Sequence, residues 1–219
     1  PPSYNASRNA AGFGALLSKA IAEEKDIVCG VGTWETPTID NWPSTVGLRG
    51  YSKRGTTLLF SAALTSGVQW TMTLAAAASY KSAATFKNFT VNFNKSAQSA
   101  GVRGIVVKSP EVGSASYCVS PIFENVELMY AKGDCLTFET GRNLVILNNV
   151  RMWGGDAHGL VLNGYDTKLS QCTIGGFSNG YGVYITSSGY VSIVNSHVFM
   201  NKTNLFQTAN SISVVAINT

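Results

Sequence analysis

Charge is scarce in this chain. Only 13% of its 219 residues are Asp, Glu, Lys or Arg, against about 25% in soluble domains generally. The 16 Lys and Arg are scattered, and only Lys53 and Arg54 are adjacent. With a net charge of +4 and a pI near 8.9 the chain is mildly basic, but it lacks the clustered basic face of a nucleic-acid binder. There are two histidines, His158 and His197, and no HExxH sequence, which excludes a histidine-rich zinc centre. No phosphate-cradling GxxxxGK[ST] motif and no GxSxG elbow occurs either. The four cysteines, Cys29, Cys118, Cys135 and Cys172, form no CxxC pair, so they are expected to be free thiols of a protein folded in a reducing compartment. No apolar run is long enough to cross a membrane: residues 74–78 are the nearest approach. No secretory leader is visible. The sequence begins Pro1-Pro2 and stops part-way through what reads as another turn, as a piece of a longer chain does. Prolines number 6 against 22 glycines, and many turns with few charges suit stacked β-structure better than helices.

What the chain does have is a repeat. Phe123-Glu124-Asn125-Val126, Leu147-Asn148-Asn149-Val150, Leu169-Ser170-Gln171-Cys172 and Ile193-Val194-Asn195-Ser196 follow one another at steps of 24, 22 and 24 residues. A period of this length, with Asn at one fixed place, is the mark of a coil that stacks on itself. The fold class is therefore all-β, a right-handed parallel β-helix. Asparagine tolerates left-handed backbone and can bond to its copy in the next coil. The Asn row is thus read as a structural ladder rather than a site. The same motif first appears at Phe86-Lys87-Asn88-Phe89, and the longer step of 37 to Phe123 places an insertion in the Ser-, Gly- and Pro-rich residues 109–120.

The repeat also supplies a register. Side chains alternate along a strand, so Val126 and Leu128 point inward, as do Val150 and Met152, Cys172 and Ile174, and Val198. Glu127, Arg151, Thr173 and His197 then point out, with Glu127 and Arg151 about 4.8 Å apart along the stack, as a surface ion pair. A second strand repeats as Leu136-Thr137-Phe138, Leu160-Val161-Leu162, Val183-Tyr184-Ile185 and Leu205-Phe206-Gln207. There Thr137, Val161, Tyr184 and Phe206 are expected on an exposed outer face that packs against another subunit or a sugar. Residues 9–25 carry the one helical period, through Phe13, Leu16, Leu17, Ala20 and Ile21, with Asn9 as N-cap. Such a helix before a run of strands covers the open end of the solenoid. The chain divides into an N-terminal segment and capping helix, 1–26, and a β-helix, 27–219.

The order of helix, short strand, Gly32-Thr33-Trp34 turn, Leu48-Arg49-Gly50 strand and Asn-bearing coils resembles the pectate-lyase-like β-helix superfamily over residues 9–213. Within it the chain looks most like bacteriophage tailspikes and capsule depolymerases. That resemblance implies a homotrimer in the virion tail, folded in the host cytoplasm, which binds and usually cleaves a bacterial surface polysaccharide. It implies no cofactor, no nucleic-acid partner and no membrane insertion. No catalytic motif is shared across such proteins, so no active residue carries over by name. An extracellular location, as for a secreted bacterial polysaccharide lyase, is an alternative. A non-enzymatic receptor-binding or structural spike of the same fold is another.

A solid core leaves only the outer faces, turns and subunit boundaries for chemistry. Cleaving a glycosidic bond needs two carboxyl groups, or a base that takes a proton beside a uronate. The first candidate corner stacks Asp134 on His158, with Asp156 two residues earlier and Glu127 on the adjoining face. The second choice is the opposite corner, Glu139 and Asp166, where Arg142 is a structural partner for Asp166. Aromatic rings pack on the C–H faces of sugars, and Trp153, Phe177, Tyr181 and Phe199 are the candidates beside the first corner. Trp34, Trp42 and Trp70 read equally as cap or core. Carboxylates sharing one groove would favour cleavage; carboxylates paired with Lys and Arg would favour the non-enzymatic spike.

Overall fold

Asn9 starts the one α-helix among the described residues: its side-chain oxygen accepts the Gly12 N–H at 2.8 Å, satisfying a donor that the first turn leaves without a partner. In the computed structural model, which describes residues 8–43, 45–73, 84–108, 121–139, 144–163, 166–186, 190–208 and 213–217, helix α1 spans Ala10–Ala22. It is shorter than the periodic stretch because Glu23 closes it and Glu24 turns left-handed, at φ 50°. Phe13, Leu17 and Ala20 face the solenoid and are buried, whereas Ile21, expected inward, is exposed. The Phe13 ring lies 6.3 Å from Trp42, itself completely buried. The helix therefore closes the core at this end.

The chain then coils. The first turn carries β1 (Ile27–Cys29), β2 (Gly32–Thr36) and β3 (Ile39–Pro43). The second carries β4 (Leu48–Gly50), β5 (Thr56–Phe60) and β6 (Val68–Thr73). In the third and fourth turns the strands before and after the corner merge. They give β7 (Thr85–Asn92) with β8 (Arg103–Lys108), then β9 (Ile122–Met129) with β10 (Leu136–Phe138). Three-strand turns resume with β11 (Leu144–Asn148), β12 (Arg151–Trp153) and β13 (Leu160–Leu162), then β14 (Asp166–Ser170), β15 (Thr173–Gly175) and β16 (Tyr181–Ile185). The last are β17 (Tyr190–Val194), β18 (His197–Phe199), β19 (Thr203–Gln207) and the final strand β20 (Ser213–Ile217). Every pairing is parallel and joins one turn to the next. This is the parallel β-helix with its N-terminal helix. Strands β3, β6 and β8 were not foreseen: β3 and β6 lie in turns without the repeat's Asn mark, and β8 precedes the second-strand repeat that was read from Leu136 onward. The proposed insertion at 109–120 lies outside the described residues, as do Cys118 and Arg142.

The register matches the repeat residue for residue. Arg151 pairs with Glu127 and with Thr173, and Thr173 with His197. Leu136, Leu160, Val183 and Leu205 also stand in one row. Inward columns such as Leu48–Phe86–Phe123–Leu147–Leu169–Ile193 run through the solenoid, and each member is buried. Trp42 and Trp70 are core residues, their rings 5.2 Å apart. Cys29, Cys135 and Cys172 are buried free thiols, and desolvation pushes the Cys29 thiol up to about 12.

At the corner Asn88, Asn125, Asn149, Gln171 and Asn195 all have φ between 48° and 62°. The amides of the first three form a ladder: Asn125 Nδ2 donates to Asn88 Oδ1 at 2.9 Å, and Asn149 Nδ2 to Asn125 Oδ1 at 3.1 Å.

The second outer face differs from its expectation. Tyr184 and Phe206 are accessible, but Thr137 and Val161 are 5% and 8% exposed. Arg103, at the start of β8, reaches Glu139, just past the end of β10, at 2.8 Å. At about 3.3 Å of rise per residue that ion pair has to run along the outward side of these strands, over Val106 and Thr137. Among the described residues no helix is long and apolar enough to cross a membrane.

Candidate functional site

Strands β9, β12, β15 and β18 present a two-column outward face. One column is Glu127, Arg151, Thr173 and His197; the other is Met129, Trp153, Gly175 and Phe199. Arg151 Nη1 meets Glu127 Oε1 at 2.9 Å. This is the ion pair foreseen, but it is not a surface pair. Glu127 is only 5% exposed, because the β4–β5 loop folds over it. From that loop Lys53 Nζ donates to the Asn149 carbonyl at 3.0 Å.

The aromatic column depends on glycine. A Cβ on Gly175 would sit 2.7 Å from Trp153 Cζ3, so the indole lies against the glycine of the following turn. Because that position has no side chain, Trp153 meets Phe199, two turns' worth of strands away, at 5.7 Å between centroids. The arrangement recurs one position on: a Cβ on Gly154 would meet the Tyr130 ring at 2.9 Å, and Tyr130 is 41% exposed. Tyr130 was missed by the sequence reading. Its signal is a glycine one repeat ahead, 24 residues on, as Gly175 is 22 residues on from Trp153.

Phe177 does not belong to this face. It is completely buried, its ring filling the space left by Gly155 and Gly159 of the preceding turn. Phe177 is therefore a core residue, and its assignment to sugar binding is corrected. Tyr181 is partly exposed, in a stack of rings along the solenoid axis: His158 to Tyr181 at 4.9 Å and 2°, then Tyr181 to Phe206 at 4.5 Å and 8°. Tyr184 leans on all three rings. Rings stacked along the axis cover one another's faces and leave edges outward, so Tyr181 offers a ligand its edge and hydroxyl. Trp153 lies against a glycine on one side, with the Arg151 guanidinium carbon over its ring at 5.2 Å from the centroid.

The corner carboxylates are occupied. Asp156 bonds Lys95 Nζ at 2.8 Å and Lys132 Nζ at 2.9 Å, and those two hydrogen bonds hold its carboxyl below the ordinary aspartate range. Lys95 arrives on a single 3-10 turn, Lys95–Ala97, two turns of the solenoid earlier. Asp134 is in register with His158, as expected, but it accepts the His158 backbone N–H, at 3.3 Å. The imidazole turns the other way: Nδ1 accepts the Tyr181 N–H at 2.9 Å, which leaves the ring proton on Nε2. Among the described residues no hydrogen bond or ion pair joins Asp134 to Asp156 or either carboxylate to the His158 ring; the expected carboxylate–imidazole cluster is three separate arrangements. At the opposite corner Glu139 pairs with Arg103 and Lys108, and Asp166 accepts the Tyr190 N–H at 3.1 Å. These two carboxylates also bond to different partners.

No protein-family model and no curated sequence matches the chain. Among solved structures, it is similar to the A-module of the mannuronan C-5 epimerase AlgE4 of Azotobacter vinelandii. The TM-score is 0.52 and the identity 13%, over 98% of this chain and 75% of that one. The A-module of AlgE6 from the same organism gives a TM-score of 0.48 at 12% identity, over 90% and 69%. The first likeness establishes a shared fold; at this identity the chemistry of this chain has to be argued from its own residues.

Proposed function

We propose that this chain is a glycan-recognition module of the bacteriophage-tailspike kind, which binds a bacterial surface polysaccharide across the outward face of β9, β12, β15 and β18. The observation that carries the proposal is the pair of aromatic rings, Trp153 and Tyr130, seated against Gly175 and Gly154 of the following turns. A flat, partly exposed ring held without side-chain freedom suits the C–H face of a pyranose. The likeness to a polysaccharide-epimerase module agrees with a glycan ligand. Recognition is favoured over cleavage through the corner residues. A general acid has to keep its proton near neutrality, and Asp156 is held in the opposite direction by two lysines. Glu127 and Glu139 are each ion-paired with an arginine, Arg151 and Arg103.

A panel of bacterial capsules and lipopolysaccharides, scored for binding and for reducing-end release, tests this. The expected result is binding without release, weakened several-fold to about tenfold in Trp153→Ala and in Tyr130→Ala. Release of reducing ends that vanishes in Asp134→Asn or Asp156→Asn would restore the cleavage reading. Trimeric assembly and a place in a virion tail belong to the same proposal and rest on the sequence resemblance. Light scattering, expected to give three times the 23.2 kDa chain mass, tests the assembly; a monomer removes that part.

A further inference from the structure

The β4–β5 loop is a tight turn, with Ser52 Oγ accepting the Gly55 N–H at 2.9 Å, and its tip crosses three turns of the solenoid. The Thr90 hydroxyl lies in reach of the Lys53 carbonyl and of Glu127 Oε2, the latter at 3.2 Å. Lys53 Nζ ends at the Asn149 carbonyl, 3.0 Å away, with Asn149 Oδ1 at 3.4 Å. Two residues beyond Asn149 stands Arg151, whose guanidinium carbon lies 5.2 Å from the Trp153 ring centroid. Burial favours the neutral form of the Lys53 amine, and Arg151 and Arg54 push the same way, with Glu127 opposing. Two cationic side chains, Arg151 in direct contact and Lys53 through space, thus share one carboxylate. Arg151 spends Nη1 on Glu127, leaving other N–H groups of its fork, and Lys53 keeps a donor beyond the two used on Asn149. Half-desolvated cations in excess, beside an aromatic platform, attract an anion more strongly than cations in open water do.

We propose that Lys53 and Arg151 form an anion subsite of this face: the carboxylate or sulfate of an acidic sugar seated on Trp153 bridges the Lys53 ammonium and the Arg151 guanidinium. The proposal deepens the glycan-recognition reading and rests on it. It makes the preferred ligand an acidic polysaccharide, and it gives a loop from the second turn a part in recognition on the fifth.

Isothermal titration with polygalacturonate, hyaluronan, dextran sulfate and neutral dextran tests it. At least one acidic chain is expected to bind about tenfold or more tightly than dextran at low salt, and to weaken as salt screens the contact. Carboxylate and sulfate are separated by which acidic chain wins. Lys53→Gln should cost the acidic chain about tenfold, Lys53→Arg should retain it, and dextran should be indifferent to both. Trp153→Ala should weaken every chain that binds. If Lys53→Gln binds the acidic chain as the wild type does, or dextran binds equally well, the anion subsite is overturned while the glycan face stands. If Trp153→Ala has no effect, or no chain of the panel binds, the underlying reading falls with it.

Discussion

Phe177→Ala is expected to destabilise the chain by about 3–5 kcal/mol, the usual range for emptying a fully buried Phe site. The upper part of that range applies because the site cannot collapse. The walls facing the ring are Gly155 and Gly159, where an added Cβ would lie 2.5 Å and 2.8 Å from it, so these two walls carry no side chain of their own to relax into the space. The backbone at this corner also holds the last turn: the Phe177 N–H donates to Asn201 Oδ1 at 3.1 Å, and its carbonyl accepts the Lys202 N–H at 3.0 Å. Urea unfolding measures the loss. Glycan binding by the protein that remains folded should be unchanged, since the ring never reaches the surface. A variant of wild-type stability that has lost glycan binding would return Phe177 to the recognition face.

That residue shows where the repeat is legible and where it is not. A period of 22–24 residues aligns one turn with the next, and strand alternation then separates inward from outward positions. For this reason the columns through Val126, Val150 and Cys172, and through Leu136, Leu160 and Val183, were readable without coordinates. Alternation stops at a turn. Phe177 follows Gly175 and Gly176 at a bend, and nothing in its own neighbourhood says whether it folds in or out. The information lies one repeat earlier, in Gly155, which makes room for it. The same comparison, aromatic against glycine in the adjacent turn, identifies Trp153 and Tyr130 as rings laid on the neighbouring coil.

Lys53 and Lys95 were beyond this kind of reading for a different reason. Lys53 reaches Asn149 across 96 residues and Lys95 reaches Asp156 across 61. Both come from segments outside the regular repeat, so no alignment of turns brings them to their partners. The carboxylates they and the arginines neutralise could be placed on a corner from sequence. The Glu127–Arg151 pair was legible in the register, but the engagement of Asp156 by Lys95 and of Glu139 by Arg103 was not, and engagement is what weighs against acid–base catalysis there.

The second large effect is expected at Asn125, the middle of the amide ladder. It donates to Asn88 and accepts from Asn149, and its backbone is left-handed at φ 53°. Asn125→Ala therefore loses three things at once. Alanine pays about 1–2 kcal/mol for left-handed backbone, which Asn, with its short polar side chain, tolerates. Two amide hydrogen bonds go, at about 1 kcal/mol net each. Together these give an expected loss of about 2–4 kcal/mol, since the amides left behind recover part of it from water. Asn125→Gly separates the contributions: glycine adopts positive φ freely, so its loss reports the ladder bonds alone. Urea unfolding of both variants should rank wild type above Asn125→Gly and Asn125→Ala lowest. If Gly is as stable as wild type, the row is conserved in this chain's repeat for backbone geometry only, and the amide bonds contribute nothing net. If Ala is as stable as Gly, the left-handed corner costs nothing and the ladder alone accounts for asparagine at that place. Gln171 occupies the same row at φ 55° without a ladder bond to Asn149 or Asn195 among the described contacts, so the solenoid tolerates one turn without a rung; removing the central rung interrupts two at once.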